Sequence, residues 1–190
     1  MKKLIVLNGS PRKSGTISRL LETLISLVND NYEIEVIRVC DLNMQFCRGC
    51  MACRQSGHCV LPEDDAHVIG EKIRQADVLI IGTPTYWGNM SGPLKVLLDR
   101  NVFILMGENK NGFPIPRQKG KKAIIVTACT TPWPFNFILA ESRGAIRALK
   151  EILHYGGYKI IGKIVKPNTK KHSEINFYLK KKIERLNAKL

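Results

Sequence analysis

The sequence predicts an α/β protein built on a doubly wound parallel sheet, with helices on both of its faces. Two observations lead to this fold class: short, continuous apolar runs recur along the chain, and amphipathic segments of helical period lie between them. Alternation of this kind is typical of parallel sheets, because each helix carries the chain back to the edge where the next strand begins. The length of 190 residues fits a single domain.

The first half of the chain supplies three predicted strands and one helix. Residues 3–7 and 77–82 are continuous apolar runs, which predict strands buried on both faces. Residues 33–39 alternate apolar and polar side chains like an outer strand, and apolar residues at 17–28 recur with the period of a helix.

The second half continues the same alternation. Apolar spacing predicts a helix at 94–98 and a longer one at 137–155. Strands are predicted at 121–128, behind a flexible glycine-rich connection at 107–120, and at 158–165. Together with the first half, these segments give a sheet of five strands.

The predicted domain covers residues 1–166, and residues 167–190 form a basic C-terminal extension. Residues 41–65 lack clear periodicity and contain the clustered cysteines, so we interpret them as an insert. The extension is rich in lysine, and its apolar residues return at helical spacing, which predicts a terminal helix.

The formal net charge of +14 attracts polyanions, of which nucleic acids and phosphorylated dinucleotides such as NADPH are examples. The late lysines have no interleaved aromatic residues for base stacking, which favours a solvated tail over a nucleic-acid interface. No apolar run approaches the roughly 20 residues of a membrane span. Because the N-terminus also shows no cleavage region, we expect a cytoplasmic protein without a membrane partner.

The loop at 9–18, between the first strand and the first helix, has the features of an anion site. A helix N-terminus offers free N–H groups and the positive end of the helix dipole. Side chains that can complete the cradle belong to Ser10, Arg12, Ser14, Thr16 and Ser18. The loop has neither the glycine fingerprint of dinucleotide folds nor a P-loop ending, which favours a monophosphate such as that of FMN. A plain turn whose hydroxyls cap the helix is the alternative.

A second loop, after the strand predicted at 77–82, combines aromatic and turn residues. Its members are Pro84, Thr85, Tyr86, Trp87, Gly88 and Asn89. A planar ring can stack on such aromatics while backbone groups bond its edge. Ligands of parallel sheets bind at the carboxyl edge, so the two loops together predict a flavin site. A third loop at 128–137, which contains Thr130, is expected to border the ring or to form a contact between subunits.

These motifs together resemble the NADPH-dependent FMN reductase family. The resemblance rests on GSPRKSG at 9–15, PTYWG at 84–88 and LKVLLDR at 94–100. It implies a flavodoxin-like, three-layer α/β/α fold of strand order 2-1-3-4-5, FMN bound by the first two loops, and a homodimer. Where many relatives have Asn-Thr after the loop glycine, this chain has Thr16 and Ile17, so backbone contacts to the phosphate are expected there.

The sharpest chemical signal is a run of four cysteines, namely Cys47, Cys50, Cys53 and Cys59. Four thiolates at such spacing can bind a small inorganic centre. The spacing alone leaves three alternatives, which are a 4Fe–4S cluster, a tetrahedral zinc ion, and free or redox-active thiols. The run resembles the compact motif of iron-sulfur flavoproteins, which implies one 4Fe–4S cluster. The acids at 63–65 are interpreted as helix N-terminal charges.

The resemblance implies an NAD(P)H-dependent FMN oxidoreductase. Flavin N5 would be the reactive centre, so no catalytic side chain is assigned, and the electrons would pass to a ferredoxin, a quinone or dioxygen. The alternative function is a non-enzymatic FMN carrier reduced by a ferredoxin-like partner. A nucleic-acid-binding protein on the same scaffold is the third hypothesis.

Overall fold

A computed structural model describes all 190 residues of the chain. Its strands are β1 (Lys2–Asn8), β2 (Tyr32–Arg38), β3 (Val78–Pro84), β4 (Met106–Glu108), β5 (Pro114–Pro116), β6 (Lys122–Ala128) and β7 (Lys159–Lys166). Its helices are α1 (Thr16–Ile25), α2 (Ala52–Ser56), α3 (Asp65–Gln75), α4 (Gly92–Arg100), α5 (Val102–Leu105), α6 (Phe135–Ile138), α7 (Glu141–Gly156) and α8 (Phe177–Asn187). No helix combines the length and apolar character needed to cross a membrane.

Five strands form one parallel sheet in the order β2-β1-β3-β6-β7. Counted among themselves along the chain, these strands follow the order 2-1-3-4-5, which confirms the predicted fold class. The order reverses at β1, because β2 lies on one side of it and all later strands lie on the other. Ligands of open α/β sheets bind outside the carboxyl ends of the strands at such a reversal.

The side chains of β1 show how the sheet separates two apolar layers. Leu4 and Val6 belong to the layer that the sheet forms with α1 and α8. Ile5 and Leu7 belong to the opposite layer, formed with α3, α4, α5 and α7. Because side chains of a strand alternate between its faces, the continuous apolar run is buried on both. Each fully buried aliphatic side chain contributes about 1.5–3 kcal/mol to folding.

The C-terminal segment packs on the sheet through α8. Ile183 is fully buried, and Leu186 lies so close to β7 that a Cβ on Gly162 would be 2.0 Å from its Cδ2 atom. The phenol of Tyr32 donates to a backbone carboxyl oxygen of Leu190 over 2.7 Å. α8 therefore covers the same face of the sheet as α1.

The helix predicted at 137–155 is wrong in its first part. The chain forms α6 and α7 there, and the two are separated at Leu139 and Ala140. Ala140 has a left-handed φ of 60°, a conformation that residues other than glycine seldom adopt, so the apolar pattern does not reveal the break. The C-terminal end of α7 is followed by Gly157 at a φ of 85°, as expected of a helix stop.

The connection at 107–120, predicted to be flexible, contains the antiparallel pair β4 and β5. The Oδ1 atom of Asn109 accepts the N–H groups of Asn111 and Phe113, both at 2.9 Å, and so shapes the turn between the two strands. Side-chain to backbone bonds of this kind leave no trace in hydrophobic periodicity. The sequence therefore did not reveal the two short strands within this connection.

Candidate cofactor site

The loops after β1, β3 and β6 meet at the carboxyl edge of the sheet. The N–H of Gly9 donates to the carbonyl of Gly82 over 2.8 Å, which ties the first loop to β3. The N–H of Thr85 donates to the carbonyl of Ala128 over 2.9 Å, which ties the second loop to β6. The two loops predicted to bind the two ends of one ligand are therefore close neighbours.

Asn8, the last residue of β1, holds the first loop from inside. Its Nδ2 atom donates to the hydroxyl of Ser18 and its Oδ1 atom accepts the N–H of Ser10, each over 3.0 Å. The hydroxyl of Ser18 donates onward to the carbonyl of Arg12 over 3.1 Å. The side chains of Asn8, Ser10 and Ser18 are buried, so these hydrogen bonds fix one shape of the loop.

The first turn of α1 presents N–H groups that have no acceptor in the chain. They belong to Thr16, Ile17 and Ser18, and the N-cap residue Gly15 has no side chain to satisfy them. The turn also carries no acidic residue. Unpaired N–H groups at the positive end of a helix dipole form an anion site.

A cavity of about 630 Å³ lies beside this turn, and none of its lining residues is hydrophobic. The predicted site residues that line it are Arg12, Ser14, Thr16 and Thr130. Lys13, Arg19 and Lys170 line it as well and add positive charge. The structure therefore brings the first loop and the third loop around one polar, basic space.

Three other predicted residues of the first loop face inward. The side chain of Ile17 is buried in the layer beneath α1, so only its backbone N–H is available to a ligand. The hydroxyls of Ser10 and Ser18 bond within the loop. Direct contact of these two hydroxyls with a phosphate stays a prediction.

The second loop is a tight turn that exposes an aromatic side chain. Tyr86 and Asn89 exchange both backbone hydrogen bonds at 2.9 Å, and the intervening Trp87 and Gly88 have φ values of 50° and 71°. Positive φ at both central positions is the signature of a type I′ turn. A left-handed residue other than glycine costs about 1–2 kcal/mol, yet the Trp87 ring is fully exposed. Strain held in an exposed aromatic residue points to a functional role for it.

This turn lines a second cavity, of about 720 Å³, together with the start of α7. The predicted site residues that line it are Thr85, Tyr86, Trp87 and Gly88. Arg143 and Arg147, one helical turn apart on α7, bring positive charge to it. Pro84 and Asn89 do not line this cavity, and it shares no lining residue with the cavity beside α1.

The cysteine run lies in a segment that we call the cysteine loop, residues 45–59. Cys47 and Cys50 are exposed, and Cys53 and Cys59 are half-buried against the core. The pKa of the Cys53 thiol is raised, first by burial and then by the charges of Cys59, Cys47 and Cys50. No three of them converge to form a metal site in this structure. The chemistry of the donor set, four thiols on one short loop, fits an iron-sulfur cluster.

A buried ion pair lies beside the cysteine loop. The guanidinium of Arg100, whose side chain is 1% exposed, donates to both carboxylate oxygens of Asp64 at 2.6 and 3.1 Å. Burial alone would raise the pKa of Asp64, but the hydrogen bonds from Arg100 and from the N–H of Gln45 outweigh it and lower that pKa. Asp64 also caps α3, in agreement with its interpretation as a helix N-terminal charge. Its partner was not predicted, because nothing in the sequence pairs residues 36 positions apart.

Similarity to known proteins identifies the family. Residues 2–131, which contain the first two loops and the cysteine loop, match the family described as NADPH-dependent FMN reductase. This chain belongs to that family. The predicted family membership is thereby confirmed. The family's description as a reductase also agrees with the predicted class of enzyme, an oxidoreductase.

Two relatives place the chain in the iron-sulfur flavoprotein branch of the family. An iron-sulfur flavoprotein of Archaeoglobus fulgidus is 42% identical over 106 residues, which are 55% of this chain and 51% of that protein. One from Methanocaldococcus jannaschii is 32% identical over 163 residues, which are 82% of this chain and 81% of that protein. The chain thus spans about half the length of the first relative and four-fifths of the second.

A solved structure of the same architecture agrees with the predicted fold. The FMN-dependent NADH-azoreductase from Bacillus anthracis, solved in complex with FMN, matches with a TM-score of 0.76 at 15% identity. The match covers 100% of this chain and 99% of that chain. At this level of identity the similarity is evidence for the fold alone, and it supports the flavodoxin-like fold that was predicted for this chain.

Asn8 is a residue of the candidate site that was not predicted from the sequence. Its signal is a polar residue that ends a continuous apolar strand, where another apolar residue would be expected. A buried amide has to find hydrogen-bond partners, and at a strand tip these are the residues of the following loop.

Proposed function

We propose that this chain is an NAD(P)H-dependent FMN oxidoreductase whose FMN phosphate binds at the first turn of α1. The observation that carries the proposal is the set of unpaired N–H groups of Thr16, Ile17 and Ser18, above a loop that buried hydrogen bonds hold in place. Lys13 and Arg12 at the adjoining polar cavity supply the charge that a phosphate dianion requires. FMN, when bound, supplies the hydride-accepting chemistry.

The second loop is proposed to hold the flavin ring. Tyr86 and Trp87 offer aromatic surface, and the backbone of the turn at 84–89 offers polar groups to the edge of the ring. Arg143 and Arg147 at the same cavity can attract the phosphates of a reduced nicotinamide dinucleotide. The chain's own groups therefore bind and orient both cofactors, and no side chain is assigned an acid or base role.

The phosphate assignment is tested by removing a single N–H group. Thr16 is the first residue of α1, where proline is tolerated because that N–H has no helical acceptor. Gly15, at φ −74° and ψ 172°, has the extended conformation that suits a residue before proline. Thr16→Pro removes the N–H and the hydroxyl, and Thr16→Ala removes the hydroxyl only.

The Kd for FMN of each variant is measured by fluorescence quenching in the protein freed of flavin. A hydrogen bond to a charged group contributes about 1.5–3 kcal/mol, so Thr16→Pro should bind FMN about 10- to 100-fold more weakly than Thr16→Ala. Riboflavin, which lacks the phosphate, should bind both variants equally. Equal FMN affinity of the two variants would show that the phosphate does not bind at this turn.

Reduction by a nicotinamide separates the enzyme from the alternative, a non-enzymatic FMN carrier. The holoprotein is mixed anaerobically with NADPH or with NADH in a stopped-flow spectrometer. Rapid loss of flavin absorbance supports the oxidoreductase and names the preferred nicotinamide. A flavin that stays oxidised, but is reduced by a ferredoxin, supports the carrier. The oxidant that restores the absorbance, whether quinone, ferredoxin or dioxygen, then names the acceptor class.

We propose further that Cys47, Cys50, Cys53 and Cys59 bind one 4Fe–4S cluster. The close spacing of the four cysteines along the cysteine loop supports this, together with the relatives named iron-sulfur flavoproteins. The cluster, when bound, supplies transfer of single electrons. Anaerobically prepared protein should contain iron and sulfide, which Cys50→Ala should lose and Cys40→Ala, outside the loop, should retain. Unchanged iron in Cys50→Ala would refute the assignment.

A homodimer and a cytoplasmic location complete the proposal. The exposed apolar side chains of the third loop and α6, which include Trp133, Phe135, Phe137 and Ile138, support a contact with a second copy. Six free cysteines agree with a reducing compartment. Sedimentation of Phe137→Lys with Ile138→Lys should give a monomer where the unaltered chain gives a dimer.

A further inference from the structure

The ion pair beside the cysteine loop belongs to a larger buried network. Asp64 accepts both N–H groups from Arg100, and it lies 3.1 Å from the Nδ1 atom of His67. The backbone N–H of Asp64 donates to the same Nδ1 atom, also over 3.1 Å. The three side chains come from the end of α4 and the start of α3, so their positions are fixed by two packed helices.

This network binds the start of the cysteine loop. The carboxylate of Asp64 accepts the N–H of Gln45 over 3.0 Å, and Arg100 donates from Nη1 to the carbonyl of Gln45 over 2.8 Å. Both backbone groups of Gln45 are thus held by the ion pair. Gln45 lies two positions before Cys47, the first cysteine of the loop.

The same network binds the end of the loop. The Nε2 atom of His67 lies 3.3 Å from the carbonyl oxygen of Cys59. A carbonyl oxygen only accepts, so Nε2 is the donor of this bond. Cys59 is the last cysteine of the loop, so both ends of the cysteine loop are attached to one set of three side chains.

One donor of the network has no partner in the chain. The Nε atom of Arg100 is buried and has no hydrogen-bond partner, and the thiol of Cys59 lies beside the same guanidinium. An unsatisfied buried donor is costly in a folded protein. A sulfur atom that carries negative charge is an acceptor suited to it.

We propose that Arg100, Asp64 and His67 are positioning residues that close the cysteine loop for its iron-sulfur cluster, with Arg100 Nε directed at a sulfur of the Cys59 end. The inference rests on the proposed cluster. A loop with free ends must lose conformational entropy whenever it wraps a ligand, and a loop whose ends are already attached loses less. Residues that orient metal ligands in this way change metal retention without touching the metal.

Two variants and one control test the closure. Arg100→Lys keeps the positive charge but loses the paired N–H donors and Nε. His67→Ala releases the carbonyl of Cys59 and the backbone N–H of Asp64, and it keeps both side chains of the Arg100–Asp64 pair. Lys95→Ala removes an exposed ion pair with Asp99 on the same helix, α4, and is the matched control.

The first readout is the rate at which a chelator removes iron from anaerobically loaded protein. It should rise about 10- to 100-fold in Arg100→Lys, less in His67→Ala, and not in Lys95→Ala. The second readout is amide hydrogen exchange of residues 45–59 in cluster-free protein, which should be faster in the first two variants only. FMN affinity should be equal in all of them.

Wild-type rates of iron loss and exchange in Arg100→Lys and His67→Ala would overturn the inference. If Arg100→Lys does not fold, His67→Ala decides, because it leaves the ion pair in place. Failure of the proposed function looks different: the unaltered chain then takes up no iron at all. The exchange comparison in cluster-free protein still shows in that case whether the network closes the loop.

Discussion

Gly144 of α7 and Gly88 of the turn at 84–89 pack backbone against backbone. A Cβ atom on Gly144 would lie 2.1 Å from the carbonyl oxygen of Gly88. No side chain fits between the two residues. The position of the turn therefore requires a residue without a Cβ atom at position 144, more than fifty residues later in the sequence.

Gly144→Ala should displace the turn and weaken FMN binding. Overpacking of this kind costs about 1–3 kcal/mol, which corresponds to a loss of affinity of about 5- to 150-fold if the turn moves to relieve it. Gly92→Ala, at a position with open space around it, is the control. Fluorescence titration with FMN measures both. An unchanged Kd in Gly144→Ala would show that FMN binding does not depend on this contact.

Trp87→Asn should stabilise the fold and impair the site. Asn adopts the left-handed conformation more readily than Trp, so about 1 kcal/mol of strain should be relieved and Tm should rise by a few degrees. The same change removes the aromatic surface, so FMN should bind more weakly. Phe113→Asn removes an exposed aromatic residue from the β4–β5 turn and should leave FMN affinity unchanged. Weaker binding together with a lower Tm would point to a packing role for Trp87 instead.

Asp64→Asn should destabilise the protein in a pH-dependent way. It leaves Arg100 buried without its counter-charge, which costs about 3 kcal/mol at pH 7. The pKa of Asp64 in the folded state lies below its unfolded value, so the stability it contributes is complete above about pH 4 and is lost as the pH falls through the folded pKa. The difference in free energy of unfolding between wild type and variant should therefore shrink in the acid range.

Urea unfolding at pH 7 and at steps down to pH 3 measures this difference. Asp99→Asn breaks the exposed pair with Lys95 and should change the free energy of unfolding by less than about 1 kcal/mol at every pH. A difference for Asp64→Asn that stays constant down to pH 3 would contradict the pairing with Arg100.

Ile183→Ala tests whether the C-terminal helix is part of the core. Ile183 is fully buried beneath α8, so its truncation should lower the free energy of unfolding by about 2–5 kcal/mol in one cooperative transition. Tyr178→Ala, on the exposed side of the same helix, should have little effect. A small loss in Ile183→Ala, or separate melting of α8, would mean that residues 167–190 are an independent extension.

The fold was predictable because its signal is local. The runs at 3–7, 77–82 and 121–128 are continuous because both faces of each strand are covered. Consecutive residues of the sequence are therefore enough to identify these strands. The break at Ala140 was not predictable, since a left-handed alanine is imposed by neighbouring packing and not by its own preference.

The candidate site divides in the same way. Arg12, Ser14, Thr16 and Thr130 were selected from the sequence because loops at strand ends are consecutive residues, and the structure gathers them around one cavity. The two cavities beside the first and second loops, and the arginines of α7 at the second, follow from how α7 crosses the sheet edge. The periodicity of apolar residues does not indicate where a helix lies relative to loops that are distant in the sequence.

The sequence by itself determined the class of protein: a parallel sheet, a helix N-terminus free for an anion, an aromatic turn and four closely spaced thiols. Only the tertiary structure decided how these parts are held, through Asn8 beneath the first loop, Gly144 against Gly88, and Arg100 with Asp64 at the cysteine loop. The reason is physical. Secondary structure and loop chemistry depend on neighbours in the chain. A buried polar group, in contrast, is stable only when it has a hydrogen-bond partner, and here the folded chain supplies that partner from a distant part of the sequence.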